Sequence, residues 1–156
     1  WGVDAVIVQG GEGGGHTGAV PTSLLLPQVV DAVDVPVIAA GGFFDGRGLV
    51  AALAYGAAGI AMGTRFLLTK ESTVPDHIKA AYLKASLTDT VVTHAIDGAP
   101  QRVIRTSVID RLENASPLLR LPRALACFGS WRRRSLVALR ISSAASRIFW
   151  LASPPP

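Results

Sequence analysis

The chain has one cysteine, Cys127, so it cannot close an internal disulfide, and this scarcity fits a reducing, cytoplasmic setting. No apolar run approaches the length of a membrane-spanning helix, and no basic-then-apolar leader stands at the front, so no membrane association is expected. No group of histidine, cysteine and carboxylate residues has metal-ligand spacing, and no metal is expected. Acidic residues stop at Glu113, while Arg120, Arg123, Arg132, Arg133, Arg134, Arg140 and Arg147 all lie beyond it. The net charge of +4 therefore belongs mainly to the tail, which weakens the nucleic-acid reading that basicity would otherwise invite. Nor does the chain begin with methionine: Trp1 comes first, as in a piece of something longer or a processed product.

What is present suits one domain with a core. The 156 residues are 49% hydrophobic and 17% charged, which excludes global disorder. The rest is organised around Gln9-Gly10-Gly11-Glu12-Gly13-Gly14-Gly15-His16-Thr17-Gly18, which follows the apolar run Ala5-Val6-Ile7-Val8. Such a run reads as a buried strand. Glycines let backbone N–H groups approach a ligand closely, and imidazole exchanges protons near neutral pH. The plainer reading is a mobile glycine loop with an incidental histidine, and this stretch alone leaves both open.

The order along the chain predicts an α/β fold. Residues 3–8 form a strand, and Thr22 and Ser23 offer caps for a helix with Pro27 in its first turn. Residues 35–40 form a second strand with little alternation, as when both faces are covered, and it ends in Gly41-Gly42. Asp45 is the expected N-cap of a helix carrying Leu49, Val50, Ala52, Leu53 and Ala54, with Gly56 at the left-handed C′ position. Residues 58–62 form a third strand ending in Gly63-Thr64. A helix over 75–85 is expected to turn Ile78, Ala81 and Tyr82 inward and Lys79 and Lys84 outward. Thr90-Val91-Val92-Thr93 reads as extended, and Asp97-Gly98 as a turn.

Strand–helix alternation implies a parallel sheet with helical crossovers. Each strand ends in a glycine loop, which puts all three loops on one carboxyl edge. An eight-fold barrel and an open doubly wound sheet both fit, and both bind ligands at that edge. Backbone N–H groups of Gly41-Gly42 and Gly63-Thr64, with the Thr64 hydroxyl, would make a phosphate cradle, although the same glycines would serve tight turns. Arg65 either faces such a phosphate or lies on the outer surface. No Gly-Lys-Ser/Thr follows the glycine loop, so it is not a Walker motif. His77 and His94 read as structural or solvated, and Glu12 as a partner for loop amides rather than an acid catalyst.

Three stretches together resemble the nitronate monooxygenase family, formerly called 2-nitropropane dioxygenase, which includes flavin-dependent enoyl reductase relatives. They are Gln9 to Gly18, Pro36-Val37-Ile38-Ala39-Ala40-Gly41-Gly42, and Gly56 to Phe66. Lys79, Asp89-Thr90-Val91 and Gly98-Ala99-Pro100-Gln101-Arg102 continue the likeness, which covers roughly residues 3–110. The resemblance implies the C-terminal strand–helix units of a TIM (β/α)8 barrel holding FMN. It implies His16 as the base that removes the proton beside a nitro or nitronate carbon. It places Gln9, Gly13 and Gly18 beside the flavin, and Gly42, Ala61, Met62, Gly63 and Thr64 around its phosphate. The implied substrates are a nitronate or nitroalkane and O2. A flavin-dependent enoyl reductase using a nicotinamide is the alternative within enzymes.

Departures from the family pattern are Gly13, where alanine is usual and the change reads as mild, and Thr106, where asparagine is expected. The family's earlier barrel strands are missing, so two sheet edges are expected to be open, with self-association or an interaction module as the non-catalytic reading. Residues 1–126 are expected to form the partial barrel domain. Residues 127–156, rich in Arg, Ser and Pro, are expected to be an irregular or helical tail outside the fold, as a frame shift in a GC-rich gene would produce.

Overall fold

The computed structural model describes residues 2–115 and the strand at 148–152. Strand β1 (Ala5–Gln9) enters the glycine loop, which contains the two-residue strand β2 (Gly15–His16). Helix α1 (Thr22–Ala32), strand β3 (Val37–Ala40), helix α2 (Gly46–Ala54) and strand β4 (Gly59–Ala61) follow. The short α3 (Thr64–Leu67) and α4 (Asp76–Lys84) lead through a 3-10 turn to β5 (Thr90–Thr93) and β6 (Gln101–Ile104), and α5 (Ser107–Glu113) comes next. The last described element is β7 (Ile148–Ala152).

One sheet is parallel, in the order β4-β3-β1-β7, and the fold is mixed α/β as expected. Its core is built from Val6 and Val8 of β1, Val37 and Ala39 of β3, Leu26 and Val29 of α1, Ala52 of α2, and Ala57 in the turn before β4. Val8, Leu26, Ala39 and Ala52 are fully buried. β-branched and small residues suit strands covered by helices, because they pack closely on a pleated surface.

Two expected helix signals hold. The Asp45 side chain accepts from the N–H groups of Arg47 (3.0 Å) and Gly48 (3.3 Å), capping α2. Gly56 takes φ +91 just past the end of α2, a conformation that costs glycine little.

Other expectations are corrected. Pro21 occupies the N-cap of α1, so Thr22 and Ser23 are inside the helix and neither caps it. The Thr22 hydroxyl points out of the helix and donates to Glu12 instead. Because α1 starts at Thr22, Pro27 lies inside the helix rather than in its first turn. Helix α4 buries no residue: Ile78 is 38% exposed, Ala81 is exposed, and only Tyr82 is half-buried. Lys79, expected to point outward, wraps back and its Nζ donates to the carbonyls of Thr69 and Ser72, both at 2.8 Å. The physical reason is that two carbonyls in the segment after α3 outcompete water for the ammonium.

A second, antiparallel sheet in the order β2-β6-β5 was not expected. It pairs His16 with Gln101 and Gly15 with Arg102, so it joins the glycine loop to the hairpin near the end of the described chain. The edges also differ from expectation. The free side of β1 carries β7, in parallel register from Ala5↔Ile148 to Gln9↔Ala152, so one of the two edges is paired. That strand is the part of the expected irregular or helical tail that the structure describes, and it is extended. The rest of the tail lies outside the described residues.

Candidate active site at the carboxyl edge

Strand register sets the geometry of the site. Gln9 lies opposite Ala40, and Ala40 opposite Ala61. The three strands therefore end flush, and their loops leave the sheet side by side, about 4.8 Å apart from one strand to the next. The first loop continues the ladder for one more residue, since Gly10 N–H donates to Ala40 O at 3.2 Å.

The glycine loop is folded, not loose. Gly13 N–H donates to Gly10 O (3.0 Å), Gly11 N–H to Val20 O (2.8 Å) and Thr17 N–H to Pro100 O (3.0 Å). Buried Thr17 adds a bond from its hydroxyl to Gly10 O. Gln9 is only 4% exposed, and its amide donates to the His16 carbonyl at 2.7 Å. Gly13 makes room for that side chain: a Cβ there would stand 2.4 Å from Gln9 Cδ and Nε2. The replacement of alanine by glycine, read as mild, is thus coupled to the packing of Gln9 under the histidine loop. Gly41, at φ +94, lies so close to the loop that a Cβ would be 2.9 Å from Gly13 N. Glycine here meets both requirements, the left-handed backbone and the close approach.

Glu12 binds an amide, but at the start of helix α1 rather than in the loop. Its carboxylate accepts from the Thr22 N–H (2.9 Å) and the Thr22 hydroxyl (2.7 Å), at the first turn of α1. Partial burial works against its charge, but these two bonds and nearby Arg102 outweigh burial and hold the carboxyl below its ordinary range. The Arg102 guanidinium clamps the loop from the other sheet: Nε and Nη2 donate to Gly11 O at 3.2 and 3.0 Å, and Nη1 donates to Thr90 Oγ1 at 3.2 Å.

His16 is half-exposed at the end of this scaffold. Its Nε2 lies 2.7 Å from Asp97 Oδ2 and 3.1 Å from Gln101 Nε2. Asp97 belongs to the turn before β6, and its other oxygen accepts from Ala99 N–H at 3.1 Å. Burial opposes the Asp97 charge, yet the bonds from His16, Gln101 and the Ala99 amide prevail, and the carboxyl titrates below its usual range.

The structure thus gathers Gln9, at the end of β1, with Gly13, His16 and Gly18 of the loop that follows, and places Gly42 against Glu12, where a Cβ would come within 3.2 Å of Glu12 Cβ. Ala61, Met62, Gly63 and Thr64 stand one strand beyond β3, with Gly63 and Thr64 exposed. Arg65 is exposed on α3. His94 bonds through Nδ1 to Gly98 O at 3.2 Å. Thr106, where asparagine was expected, caps α5 by accepting from Ile109 N–H at 3.4 Å. Between the glycine loop and the β5–β6 hairpin lies a cleft of about 500 Å³, lined by residues that include Gly18, Pro21, Val92, His94 and Arg102. A smaller one of about 220 Å³ lies over Gly42, Thr22 and Tyr55. No group of metal-binding side chains occurs among the described residues, and no described helix is long and apolar enough to cross a membrane.

Sequence reasoning missed Asp97 and Gln101 as site residues. Asp97-Gly98 carried only a turn signal, and Gln101 only the family likeness. Their position beside His16 follows from an antiparallel pairing that spans 85 residues.

Comparison with known proteins agrees with this arrangement. The nitronate monooxygenase family model matches residues 1–138. The chain is 62% identical over 143 residues to a Mycobacterium tuberculosis protein named (3aS,4S,5R,7aS)-5-hydroxy-7a-methyl-1-oxo-octahydro-1H-indene-4-carboxyl-CoA dehydrogenase, covering 90% of this chain and 40% of that one. It is 45% identical over 122 residues to a probable nitronate monooxygenase of Staphylococcus saprophyticus, covering 71% of this chain and 34% of the relative. Among solved structures, FabK from Thermotoga maritima superposes with a TM-score of 0.71 at 47% identity, covering 85% of this chain and 42% of that one. The chain therefore spans well under half the length of the relatives it matches, and it belongs to the nitronate monooxygenase family.

Proposed function

We propose that this chain carries the carboxyl-edge half of an FMN-dependent oxidoreductase built on a TIM barrel, which oxidises nitronates or nitroalkanes with O2 and uses His16 as its base. The observation that carries the reading is the flush row of three loops, with His16 held at one end and exposed Gly42, Gly63 and Thr64 along it. Family membership supports the same reaction class.

The residues present fit the cofactor. Gly42 and Gly63 put no side chain in the way of a phosphate, and nothing within 4 Å would meet a Cβ at Gly63, so the space above it is open. Gly42, Ala61, Met62, Gly63 and Thr64 would hold the phosphate, and Gln9, Gly13 and Gly18 would stand beside the ring. When bound, the flavin supplies the redox chemistry. The chain's own residues do the rest. His16 takes up the substrate proton, Gln9 fixes the His16 backbone from below, and Arg102 pins Gly11 so that the loop keeps its shape.

A second reading is favoured by the 62% identity to a dehydrogenase named for a carboxyl-CoA substrate. In that case the carbon acid is activated by a thioester or ring carbonyl rather than by a nitro group, as it would be in an enoyl reductase. The same base and the same cofactor cradle serve both. The test begins with an FMN titration of the purified chain, followed by flavin absorbance and fluorescence. Stoichiometric binding with a shifted spectrum is expected, and its absence would remove the cofactor reading for this chain. In the loaded protein, turnover of 2-nitropropane against that of an acyl-CoA with a nicotinamide separates the two substrates. His16→Ala should lower the productive one by about 10²-fold or more.

A further inference from the structure

We propose that the cleft between the glycine loop and the β5–β6 hairpin is a binding site for a neutral, largely alicyclic molecule with a hydroxyl group, which donates its hydrogen to His94 Nε2. The site is separate from the residues assigned to the cofactor phosphate: none of Gly42, Ala61, Met62, Gly63 and Thr64 lines the cleft. Nor does it depend on which reaction His16 serves.

The hairpin fixes the His94 ring. Gly98 N–H donates to the His94 carbonyl at 3.0 Å, and His94 Nδ1 lies 3.2 Å from the Gly98 carbonyl oxygen. A carbonyl oxygen can only accept, so Nδ1 carries the hydrogen of that bond. In the neutral ring Nε2 then has no hydrogen and is an acceptor. It meets no donor among the described residues. The ring lines the cleft, and with Nδ1 tied to the turn, Nε2 is the nitrogen left for a ligand.

The rest of the lining selects the ligand. The volume of about 500 Å³ falls within the ~300–1,000 Å³ usual for small-molecule sites. The two sides are braced across the cleft, because Thr17 N–H donates to Pro100 O and the Arg102 guanidinium to Gly11 O. The shape therefore exists before a ligand arrives. Ala19, Pro21, Val92 and Pro100 supply methyl groups and saturated rings, and no Phe, Tyr or Trp among the described lining residues offers a face for stacking. A saturated carbon body suits such walls. Two charged side chains line the cleft, Arg102 and Glu12, and each already holds partners: Gly11 O and Thr90 Oγ1 for the guanidinium, Thr22 for the carboxylate. Their opposite charges offset, so a neutral ligand is favoured over an ion. His94 Nε2 remains as an acceptor without a donor, and a hydroxyl satisfies it.

The test uses three probes on one carbon skeleton. Decahydro-2-naphthol can donate, 2-decalone can only accept, and decahydro-2-naphthoate is an anion. Each is titrated near pH 8, where an ordinary imidazole is neutral, into the chain labelled with 15N at histidine. His94 signals are assigned by their loss in His94→Phe. The expected result is saturable binding of the alcohol, at least about fivefold tighter than the ketone, the size one hydrogen bond supports. The alcohol should shift His94 Nε2 and leave the exposed His77 ring unmoved. In His94→Phe the alcohol and the ketone should bind alike. Val92→Trp, at a 43% exposed strand position that tolerates an aromatic, should fill the cleft and weaken both by about tenfold or more. Equal affinity for alcohol and ketone in the unaltered chain would overturn the proposal, as would tighter binding of the carboxylate. So would a hydrogen on Nε2 rather than Nδ1 of His94, or undiminished binding in Val92→Trp. None of these measurements needs FMN, so the site can fail while the cofactor binds and can stand where the cofactor does not.

Discussion

The first sixty residues and the stretch from α3 through α4 are held together in opposite ways. Around β1, β3 and β4, helices α1 and α2 bury Leu26, Val29 and Ala52 against the sheet. Helices α3 and α4 bury nothing: Phe66 and Leu83 on them are 59% and 74% exposed, and Leu87 in the 3-10 turn just after α4 is 93% exposed. What holds α4 in place is polar: Lys79 spans to two carbonyls, and Asp76 sits in its first turn, where a negative charge meets the helix dipole. The comparison teaches that the loop row at the carboxyl edge is supported unevenly. The His16 and Gly42 loops grow from a packed core. The Gly63-Thr64 loop leads directly into helices without one, so that end of the proposed cradle should be the easier to move.

The largest expected effect comes from the packed side. Leu26→Ala should destabilise the chain by about 2–5 kcal/mol, because a fully buried leucine leaves a cavity that rigid strands cannot close. Leu87→Ala, at an exposed position, should change stability by no more than about 0.5 kcal/mol. Urea unfolding of both variants checks the contrast. Equal losses would mean that the exposed side is packed in solution and that the two regions do not differ.

A smaller effect is expected where the core meets the loops. Glu12→Ala removes the acceptor at the start of α1, and losing such a cap should cost about 0.5–2 kcal/mol. Acid should do the same reversibly. The Glu12 carboxyl lies below its ordinary value of about 4.3, so it contributes stability above that pH and loses it as pH falls through the depressed value. Asp97 is depressed for a similar reason and contributes to the same acid limb. Unfolding free energy measured from pH 6 down to pH 3 should therefore fall less steeply in Glu12→Ala than in the unaltered chain. An identical slope would mean that the Thr22 bonds do not distinguish the two protonation states.

The same contrast explains what could be read from the sequence. The three parallel strands, their glycine endings, the Asp45 cap and the Gly56 C′ position were legible because each is encoded by neighbours: an apolar run, a punctuating glycine, a capping side chain. The inward face assigned to α4 was not, because periodicity tells which residues are apolar and not whether anything lies opposite them. Lys79 was assigned to solvent on the general habit of lysine, and only the folded chain brings the carbonyls of Thr69 and Ser72 to it. At the site, His16 and the glycine loop stood out locally. Asp97 did not, since an Asp-Gly pair is fully explained as a turn until β6 is seen to pair with β2. Contacts across 81 and 85 residues leave no local pattern.

The smallest expected effect is also the sharpest test of the uneven support. Lys79→Met keeps most of the apolar stem and removes the ammonium, so α4 loses its two bonds to the segment after α3. If α4 is a separately held element, global stability should move by no more than about 0.5 kcal/mol, while its backbone amides exchange roughly tenfold faster with deuterium. Amides of α1 should keep their protection, because Leu26 and Val29 do not depend on Lys79. A loss of protection spread evenly over α1 and α4 would show one cooperative unit. The Gly63-Thr64 loop would then be as firmly set as the loop that carries His16.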